Sequence, residues 1–564
     1  MKWMGDRIEI YNNPLMKFMD PMGVGKAIAQ AQAGWLNHPV GAAEKTRAWF
    51  QGLTELQLYF LRRSMGLEMS REAKDSRFSS DKWSTNLFFD MLKESFLFAS
   101  EFMFELTMDS PDTPPHIKRK AAFWVEQIFN SMSPSNFLLT NPDAIQKMVD
   151  TRGQSLVDGM KLLMQDMKDN DISMVDKDAF KVGKNLATTP GKVVFRTDLF
   201  ELIQYKPQTK QVREIPIMFV PPWINKFYVL DLTEKKSIIS YLLKQGFSVF
   251  LISWRNVPKE MRDTHFGDYL GRGIDRAQNV VRSISGADSV HAVGYCIGGT
   301  ALSSYMAWMN ADPDEKAPKP ISSWTLFASL VDFEKPGEIE SFVDQDSYDM
   351  VCDTMEKEGY LDGAKMNAAF RMLRSKDLIW SFFVDSYLCG QKPKAFDLLY
   401  WNSDPTRLPE EMHRFYLREF YVNNNLVRKN KLTLSGRKID LSIIEQPLYD
   451  VATIQDHITP WKECFKCDYI SGPVRQVLGS SGHILGVISP PVEPPKRKYW
   501  AGEVGDIRDP DLWLDQQEEQ KGSWWPDWVK WLDDKCGKKR DALKVGNAKY
   551  KPLCDAPGEY VVEP

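Results

Sequence analysis

No stretch of about 18 consecutive apolar residues, the length that a membrane-spanning helix requires, occurs in the 564-residue chain. The N-terminal stretch also lacks the apolar segment of a secretory signal, so we expect a cytoplasmic protein with no transmembrane segment. Neither charge dominates, because 72 lysines and arginines stand against 76 aspartates and glutamates, and a net charge of −4 does not indicate a nucleic-acid partner. The chain is long enough for two domains or three.

Cysteine and histidine are scarce, with seven residues of each. An odd number of irregularly spaced cysteines in so long a chain does not indicate a disulfide framework. Cys464 and Cys467 form a single C-x-x-C pair, but neither a second pair nor histidines at ligand spacing accompany it. We therefore expect no metal site and no cofactor.

Aromatic residues are plentiful, with 18 tryptophans and 31 phenylalanines, and several lie close together in GSWWPDWVKWL at 522–532. One interpretation is that these large side chains fill the core at a domain edge. The other is that they form an apolar surface that meets a partner or a hydrophobic product. Both interpretations stay open at this point.

The hydrophobic pattern changes near residue 190. Before it, apolar residues recur at helical spacing, as at 85–107 and 115–133, and no alternating strand pattern interrupts them. Residues 1–190 therefore predict an all-α N-terminal domain. Residues 191–564 predict a second domain of a different class.

Short apolar runs alternate with amphipathic helices in the second domain, which is typical of a parallel sheet with crossover helices. The runs lie at 215–222, 247–254, 289–295, 322–333, 446–453 and 475–480. About 110 residues separate the fourth run from the fifth. The insertion, near 334–440, is helical and aromatic, and we expect it to form a cap over the site.

GYCIGGT, at 294–300, follows the third apolar run and places Cys296 in a G-x-C-x-G pattern. This pattern predicts a nucleophile elbow with cysteine where serine is usual. Glycines let the backbone turn sharply, and a helix opening at Ile297 directs its positive end toward the sulfur. The alternative is a buried cysteine in a glycine-rich turn.

The order of the remaining candidates favours the elbow. In the α/β-hydrolase fold the nucleophile precedes an acid, and the acid precedes a histidine. After the cap only His457 and His483 remain, and His483 follows the last strand, whereas Asp456 follows the strand before it. The sequence thus predicts an α/β-hydrolase fold with an inserted cap and a triad of Cys296, Asp456 and His483.

Two further assignments rest on the fold. The oxyanion would be stabilised by the backbone N–H groups of Ile297 and of a residue after the first parallel strand, Trp223 or Ile224, because the two preceding prolines have no N–H. His457 adjoins the acid, and adjacent residues leaving a strand usually point apart. We interpret His457 as facing substrate or supporting Asp456, or as a histidine of a surface turn.

Blocks along nearly the whole chain resemble the class I polyhydroxyalkanoate synthases. They include DSRFSSDKW, MSPSNFLLTNP, FELIQYKP, VPPWINKFYVLDL, FLISWRN, GYCIGGT, FDLLYWNSDPTRLP, QDHITPW, SGHILGVISPP and GSWWPDW. The resemblance implies Cys296 as nucleophile, His483 as base and Asp456 as acid, which either orients His483 or helps to deprotonate the substrate hydroxyl. One departure is Trp223, where many members have cysteine, and it leaves the shape of the pocket open.

The resemblance also implies a function. The protein would polymerise (R)-3-hydroxyacyl-CoA, with 3-hydroxybutyryl-CoA as the expected short-chain substrate, into polyester through acyl-cysteine intermediates. It would work as a homodimer at the surface of cytoplasmic polymer granules, with the first 190 residues serving attachment and dimer formation. Arg374 would contact the CoA phosphates, or is a solvated helix arginine. The alternatives are a thioesterase or depolymerase of the same fold and a non-catalytic granule-coating protein.

Overall fold

The computed structural model describes residues 19–72, 74–314, 319–465 and 469–563. Cys467 and the first 18 residues of the predicted N-terminal domain lie outside them. The chain forms two compact units. The first comprises residues up to Asp176 together with Glu340–Phe342 and Ala368–Ala395, and the second comprises Lys177–Ile339, Val343–Asn367 and the chain from Phe396 onward. The sequence-based domain boundary near 190 stays a prediction, as does the cap at 334–440.

The first unit is helical. Its helices are Val24–Leu36, Pro39–Ser64, Lys82–Thr85, Leu87–Met108, Pro115–Ser131, Pro142–Asp150 and Gln154–Asp169. Polar side chains set several helix starts, as where Asn86 accepts a hydrogen bond from the backbone N–H of Phe88 and Asn141 accepts one from that of Ala144. The helices therefore begin where local capping chemistry favours them.

Part of the predicted cap belongs to this first unit. Within Ala368–Ala395, the hydroxyl of Tyr387 donates to Asp166 at 2.7 Å, and Arg371 donates to Asp171 at 2.5 Å. Gly159 permits the close approach, because a Cβ there would lie 2.1 Å from the Tyr387 carbonyl oxygen. These bonds tie the segment to the helix Gln154–Asp169 and to Asp171 just after it.

A cluster of charged side chains is buried inside the first unit. Lys93 has no exposed side-chain surface and lies 2.9 Å from Asp90 and 3.2 Å from Glu94. Asp90 also accepts hydrogen bonds from Tyr59 at 2.7 Å and Arg63 at 3.1 Å. Buried charges are tolerated only when they are paired in this way.

The second unit is built on one sheet of eleven strands. In chain order they are β1 Gly191–Arg196, β2 Phe200–Tyr205, β3 Ile217–Val220, β4 Val249–Trp254, β5 Val290–Tyr295, β6 Ile321–Phe327, β7 Leu448–Thr453, β8 Val474–Gly479, β9 Lys498–Glu503, β10 Gln520–Lys521 and β11 Cys554–Asp555. Their spatial order is β10-β9-β8-β7-β6-β5-β3-β4-β2-β1-β11.

The middle of the sheet is parallel and its margins are antiparallel. Strands β4, β3, β5, β6, β7 and β8 pair in parallel, whereas β1, β2, β9, β10 and β11 join antiparallel. The parallel strands are apolar almost throughout because both of their faces are covered. Since parallel strands end at one edge, residues that follow β5, β7 and β8 are brought to the same rim.

Helices cover the sheet. Within the described ranges, the α-helices of the second unit are Ile238–Lys244, Phe266–Asp268, Arg276–Ser285, Ile297–Asn310, Gln345–Glu358, Asp397–Asn402, Glu410–Phe415, Pro510–Asp515 and Trp525–Lys535, and Gly363–Leu373 runs from the second unit into the first. Among the described residues, no helix has the length and apolarity needed to cross a bilayer.

The C-terminal aromatic cluster belongs to the core. Trp524 and Trp525 are each 1% exposed and Trp528 is fully buried, packed among residues of the sheet. The core interpretation of these tryptophans is confirmed, and the surface interpretation is wrong for them. The reason is geometric, because Trp525–Lys535 carries its indoles on the face that lies against the sheet.

The buried cluster of the first unit yields a stability prediction. Replacing Lys93 by methionine leaves Asp90 and Glu94 buried with less compensating charge, and we expect the free energy of unfolding to fall by about 3–5 kcal/mol. The matched control is Lys161→Met, whose ion pair with Asp158 is exposed to solvent and should therefore contribute far less to the free energy of unfolding. Urea unfolding followed by circular dichroism measures both. An equal loss in the free energy of unfolding of the two variants would contradict this prediction.

Candidate active site

The cysteine of the G-x-C-x-G pattern stands at a sharp turn between a strand and a helix. Strand β5 ends at Tyr295, and the helix Ile297–Asn310 begins one residue after Cys296. Cys296 has φ 52° and ψ −126°, a conformation that non-glycine residues rarely adopt. Its N–H donates to the carbonyl of Phe327 at 2.9 Å, which anchors the turn to β6.

Each glycine around the cysteine is required by a close approach. A Cβ at Gly298 would lie 2.3 Å from the carbonyl oxygen of Val220 on β3, and one at Gly294 would lie 2.5 Å from the Cα of Gly299. A Cβ at Gly299 would lie 2.0 Å from the hydroxyl of Ser329. The turn can exist only because these three positions carry no side chain.

The acid and the histidine of the predicted triad form a buried pair at the same rim. Asp456 follows β7 and His483 follows β8, and His483 Nδ1 lies 2.7 Å from Asp456 Oδ2. The other oxygen of Asp456 accepts from the backbone N–H groups of Ile458 at 2.9 Å and Thr459 at 2.8 Å. The Thr459 hydroxyl donates to Oδ2 at 2.7 Å, so the carboxylate is held in one orientation.

Electrostatics favour a charged pair. Burial lowers the pKa of His483, but the charge of Asp456, followed by that of Cys296 and by hydrogen bonds to both side chains, raises it well above its usual value. Burial raises the pKa of Asp456, yet the charge of His483 and the bonds from His483 and Thr459 bring it below its usual value. The hydrogen bond between the His483 imidazole and the Cys296 side chain completes the set, so the structure brings the three side chains together.

The two predicted oxyanion donors lie on either side of the elbow. Ile297 is the first residue of its helix, where the N–H has no partner within the helix. Trp223 lies in the loop after β3, and the hydroxyl of Thr406 donates to its carbonyl oxygen. In the part of the chain that the structure describes, neither N–H donates to a protein acceptor. Their role as an oxyanion hole stays a prediction.

The indole of Trp223 belongs to a buried aromatic cluster. It is buried, and its ring centroid lies 4.3 Å from that of Tyr269 and 5.7 Å from that of Trp254. A contact with Phe266 at 6.3 Å links it to the next ring. This chain therefore has a large side chain that fills the core at position 223, where many members of the family that the sequence resembles have cysteine.

A packed group of aromatic side chains comes from the insertion and from Phe333, the last residue before it. The ring centroids of Tyr416 and Tyr421 are 5.4 Å apart. The ring centroid of Phe333 lies 4.8 Å from that of Tyr421 and 5.7 Å from that of Phe420. Burial is the largest cause that raises the pKa of each tyrosine, and the charge of Cys296 adds to it in both. Phe333, Tyr416, Phe420 and Tyr421 form one packed group, hereafter the aromatic wall, and its two tyrosines are close enough to Cys296 to feel the charge of the sulfur.

His457 and Arg374 take different places. His457 follows Asp456 with a half-buried side chain, and its carbonyl oxygen accepts from the N–H of Glu338 at 3.4 Å. Arg374 lies in the first unit, where it donates to Asp377 at 2.8 Å and is about half exposed. Contacts of either residue with substrate stay predictions. Among the described residues, no cluster of three or more His, Cys, Asp or Glu side chains is suited to hold a metal ion.

Comparison with known proteins gives two family matches and several long relatives. Residues 74–242 match the N-terminus of poly-beta-hydroxybutyrate polymerase, and residues 216–485 match the alpha/beta hydrolase fold. The chain is 38% identical to a poly(3-hydroxyalkanoate) polymerase of Methylorubrum extorquens over 95% of its own length and 89% of the relative's. It is 40% identical to a polymerase subunit of Rhizobium etli over 87% of its own length and 77% of that chain. The chain belongs to the poly(3-hydroxyalkanoate) polymerase family.

Solved structures of lower similarity also align with this polymerase family member. A monoacylglycerol lipase of Paleococcus ferrophilus is 12% identical, covers 59% of this chain and 98% of its own, and gives a TM-score of 0.32. The α/β-hydrolase fold predicted from the sequence is confirmed by the family match and by the parallel sheet. The elbow, Asp456 and His483 all fall within the matched residues.

Some residues of the site carry no recognisable signal in the sequence. Thr459 lies within the quoted QDHITPW block, but its hydroxyl bond to Asp456 has no sequence signature. Tyr416 and Tyr421 lie in the aromatic stretch FYLREFYV, which predicts a helical cap and not a contact with Cys296. Such contacts depend on the tertiary fold.

The charged pair predicts a titration shift. Asp456→Asn removes the carboxylate charge that raises the pKa of His483, so the imidazole should lose its proton at lower pH than in the wild type. Nuclear magnetic resonance of protein labelled at histidine Cε1 measures the midpoint directly. The control is Asp404→Asn, whose carboxylate binds Lys226 and Tyr228 instead. A midpoint unchanged by Asp456→Asn would contradict the pairing.

Proposed function

We propose that the protein is an acyltransferase that polymerises (R)-3-hydroxyacyl-CoA into polyester and releases CoA. The observation that carries this proposal is a cysteine at the nucleophile elbow beside a buried Asp456–His483 pair. The relatives named poly(3-hydroxyalkanoate) polymerase, which match this chain over most of its length, supply the reaction class. A thiol suits a thioester substrate because the transfer of an acyl group from one thiol to another is nearly isoenergetic.

The loading step transfers the acyl group to the enzyme. His483 takes the proton of the Cys296 thiol, and the sulfur attacks the thioester carbonyl. The N–H groups of Ile297 and Trp223 stabilise the oxyanion that forms. The bond between the carbonyl carbon and the CoA sulfur then breaks, and the departing CoA takes the proton from His483. An acyl-cysteine remains.

The second step forms the ester. The 3-hydroxyl of another unit attacks the acyl-cysteine, His483 takes its proton, and the Cys296 sulfur leaves and regains a proton. For Asp456 we favour orientation of His483 over direct deprotonation of the hydroxyl. Its two oxygens already accept from the side chains of His483, Thr453 and Thr459 and from two backbone N–H groups, which leaves little room for a substrate hydroxyl.

The aromatic wall supports polymer formation over hydrolysis. An acyl-cysteine reacts with water unless water is excluded, and we infer that the aromatic wall, whose two tyrosines feel the charge of Cys296, provides this exclusion. The same bulk, together with the buried rings of Trp223 and its neighbours, limits the space for a long acyl side chain. We therefore propose a short-chain substrate such as 3-hydroxybutyryl-CoA.

The cellular setting is part of the proposal. We propose a class I enzyme, acting as a homodimer on cytoplasmic polymer granules, with Arg374 and His457 contacting substrate. A row of exposed apolar side chains on the helix Gln154–Asp169 supports contact with a hydrophobic polymer. The row consists of Val157, Met160, Met164 and Met167, spaced so that they share one helix face.

Cys296→Ala tests the assignment of the nucleophile. Because the proposal places the acyl unit on this sulfur, release of CoA from 3-hydroxybutyryl-CoA should fall by at least about a thousandfold. A thiol reagent measures CoA and turbidity measures polymer. The control is Cys554→Ala, which removes a cysteine on β11 and should keep wild-type turnover.

Two outcomes would overturn the proposal. Wild-type turnover in Cys296→Ala would remove the nucleophile assignment. Release of CoA by the wild type with only soluble 3-hydroxy acid as product would identify a thioesterase of the same fold.

A further inference from the structure

His483 lies in a connection that has no regular secondary structure. Strand β8 ends at Gly479 and β9 begins at Lys498. Within this loop the N–H of Gly486 donates to the carbonyl of Gly482 at 2.8 Å, which forms a single turn around the histidine. A catalytic group needs its position fixed closely, and a loop alone does not fix it. Contacts from two other parts of the chain hold this loop in place.

The first contact comes from the residue before the nucleophile. Tyr295 is 1% exposed, and its ring stacks on the His483 imidazole with centroids 5.6 Å apart and planes inclined by 26°. Its hydroxyl donates to the backbone carbonyl of His483 at 3.2 Å. Burial, followed by the charges of Cys296 and Asp456, raises the pKa of Tyr295, so the phenol keeps its proton and remains a donor.

The second contact comes from the C-terminal tryptophans. The indole N–H of Trp524 donates to the Gly486 carbonyl at 2.9 Å, and that of Trp525 donates to the Val487 carbonyl at 3.0 Å. Both indoles are 1% exposed, so each bond is sheltered from water. The motif GSWWPDW thus binds the loop at two consecutive carbonyls a few residues after His483.

The two contacts are joined through Phe327. The ring of Phe327 packs 5.3 Å from that of Trp524 and 6.5 Å from that of Tyr295. Its carbonyl accepts the N–H of Cys296 at 2.9 Å. One packed group therefore touches the nucleophile turn and both supports of the histidine loop.

We propose that Tyr295, Trp524 and Trp525 are positioning residues that fix the His483 imidazole against Cys296 and Asp456. The proposal rests on the proposed function, because it assigns these residues a part in the same reaction. Tyr295 fixes the plane of the ring and the backbone of His483, and the tryptophans fix the following turn. Without them the imidazole moves relative to the sulfur, and displacements of about 1 Å cost up to roughly 100-fold in rate.

Single conservative substitutions separate positioning from packing. Tyr295→Phe keeps the stacked ring and removes the hydroxyl bond, and Trp524→Phe and Trp525→Phe keep an aromatic ring and remove an indole N–H. The matched control is Trp528→Phe on the same helix. Trp528 is equally buried, but its N–H donates to the Thr325 hydroxyl at 3.0 Å and not to the histidine loop.

Two readouts are measured on the full chain. One is kcat and KM with 3-hydroxybutyryl-CoA. The other is the pH dependence of Cys296 alkylation by iodoacetamide, which needs no substrate and reports how well the imidazole supports the thiolate. Because alkylation does not require polymerisation, a failure of the proposed function leaves this second readout intact.

We expect kcat to fall by about 10- to 100-fold in Tyr295→Phe, Trp524→Phe and Trp525→Phe with little change in KM, and the alkylation profile to move to higher pH. Trp528→Phe should keep both at wild-type values even where it lowers the unfolding temperature as much. Wild-type values in all three loop variants would overturn the proposal. An equal shift in Trp528→Phe would also overturn it, because a purely structural effect would then explain the result.

Discussion

The backbone of Cys296 is the constraint on which the rest of the site depends. A non-glycine residue at φ 52° and ψ −126° carries a strain of about 1–3 kcal/mol that the surrounding structure must overcome. Here the N–H bond to Phe327 and the close approach of Gly298 to β3 hold the turn. The strain raises one side chain above the sheet, where the residues after β7 and β8 can reach it.

The site also requires that its buried charges balance one another. A carboxylate and an imidazole as buried as Asp456 and His483 are stable only as partners, and the backbone N–H groups at Ile458 and Thr459 complete the coordination of the carboxylate. The aromatic wall adds no further charge, so in the proposed mechanism the apolar and charged parts of the site have separate tasks.

Patterns that repeat locally could be predicted from the sequence. The apolar runs at 247–254 and 289–295 coincide closely with Val249–Trp254 and Val290–Tyr295, because a fully buried parallel strand must be apolar on both faces. The helix pattern at 85–107 likewise matches Leu87–Met108. Strands such as Gln520–Lys521 could not be predicted, because they are short, exposed and held by pairing at the sheet margin.

The site itself was predictable only in part, for the same physical reason. Cys296, Asp456 and His483 each follow a parallel strand, so their order along the chain could be recognised from the sequence. The structure brings these side chains together. The bonds from Trp524 and Trp525 join residues that belong to different elements, and no spacing rule reveals them.

Peptide mass spectrometry after rapid acid quench of the full-length protein with 3-hydroxybutyryl-CoA tests the central claim most directly. The account predicts a mass increase of one or more hydroxyacyl units on the peptide that contains Cys296, present while CoA is being released. An unmodified Cys296 during active release of CoA, or the acyl group on a different residue, would contradict it.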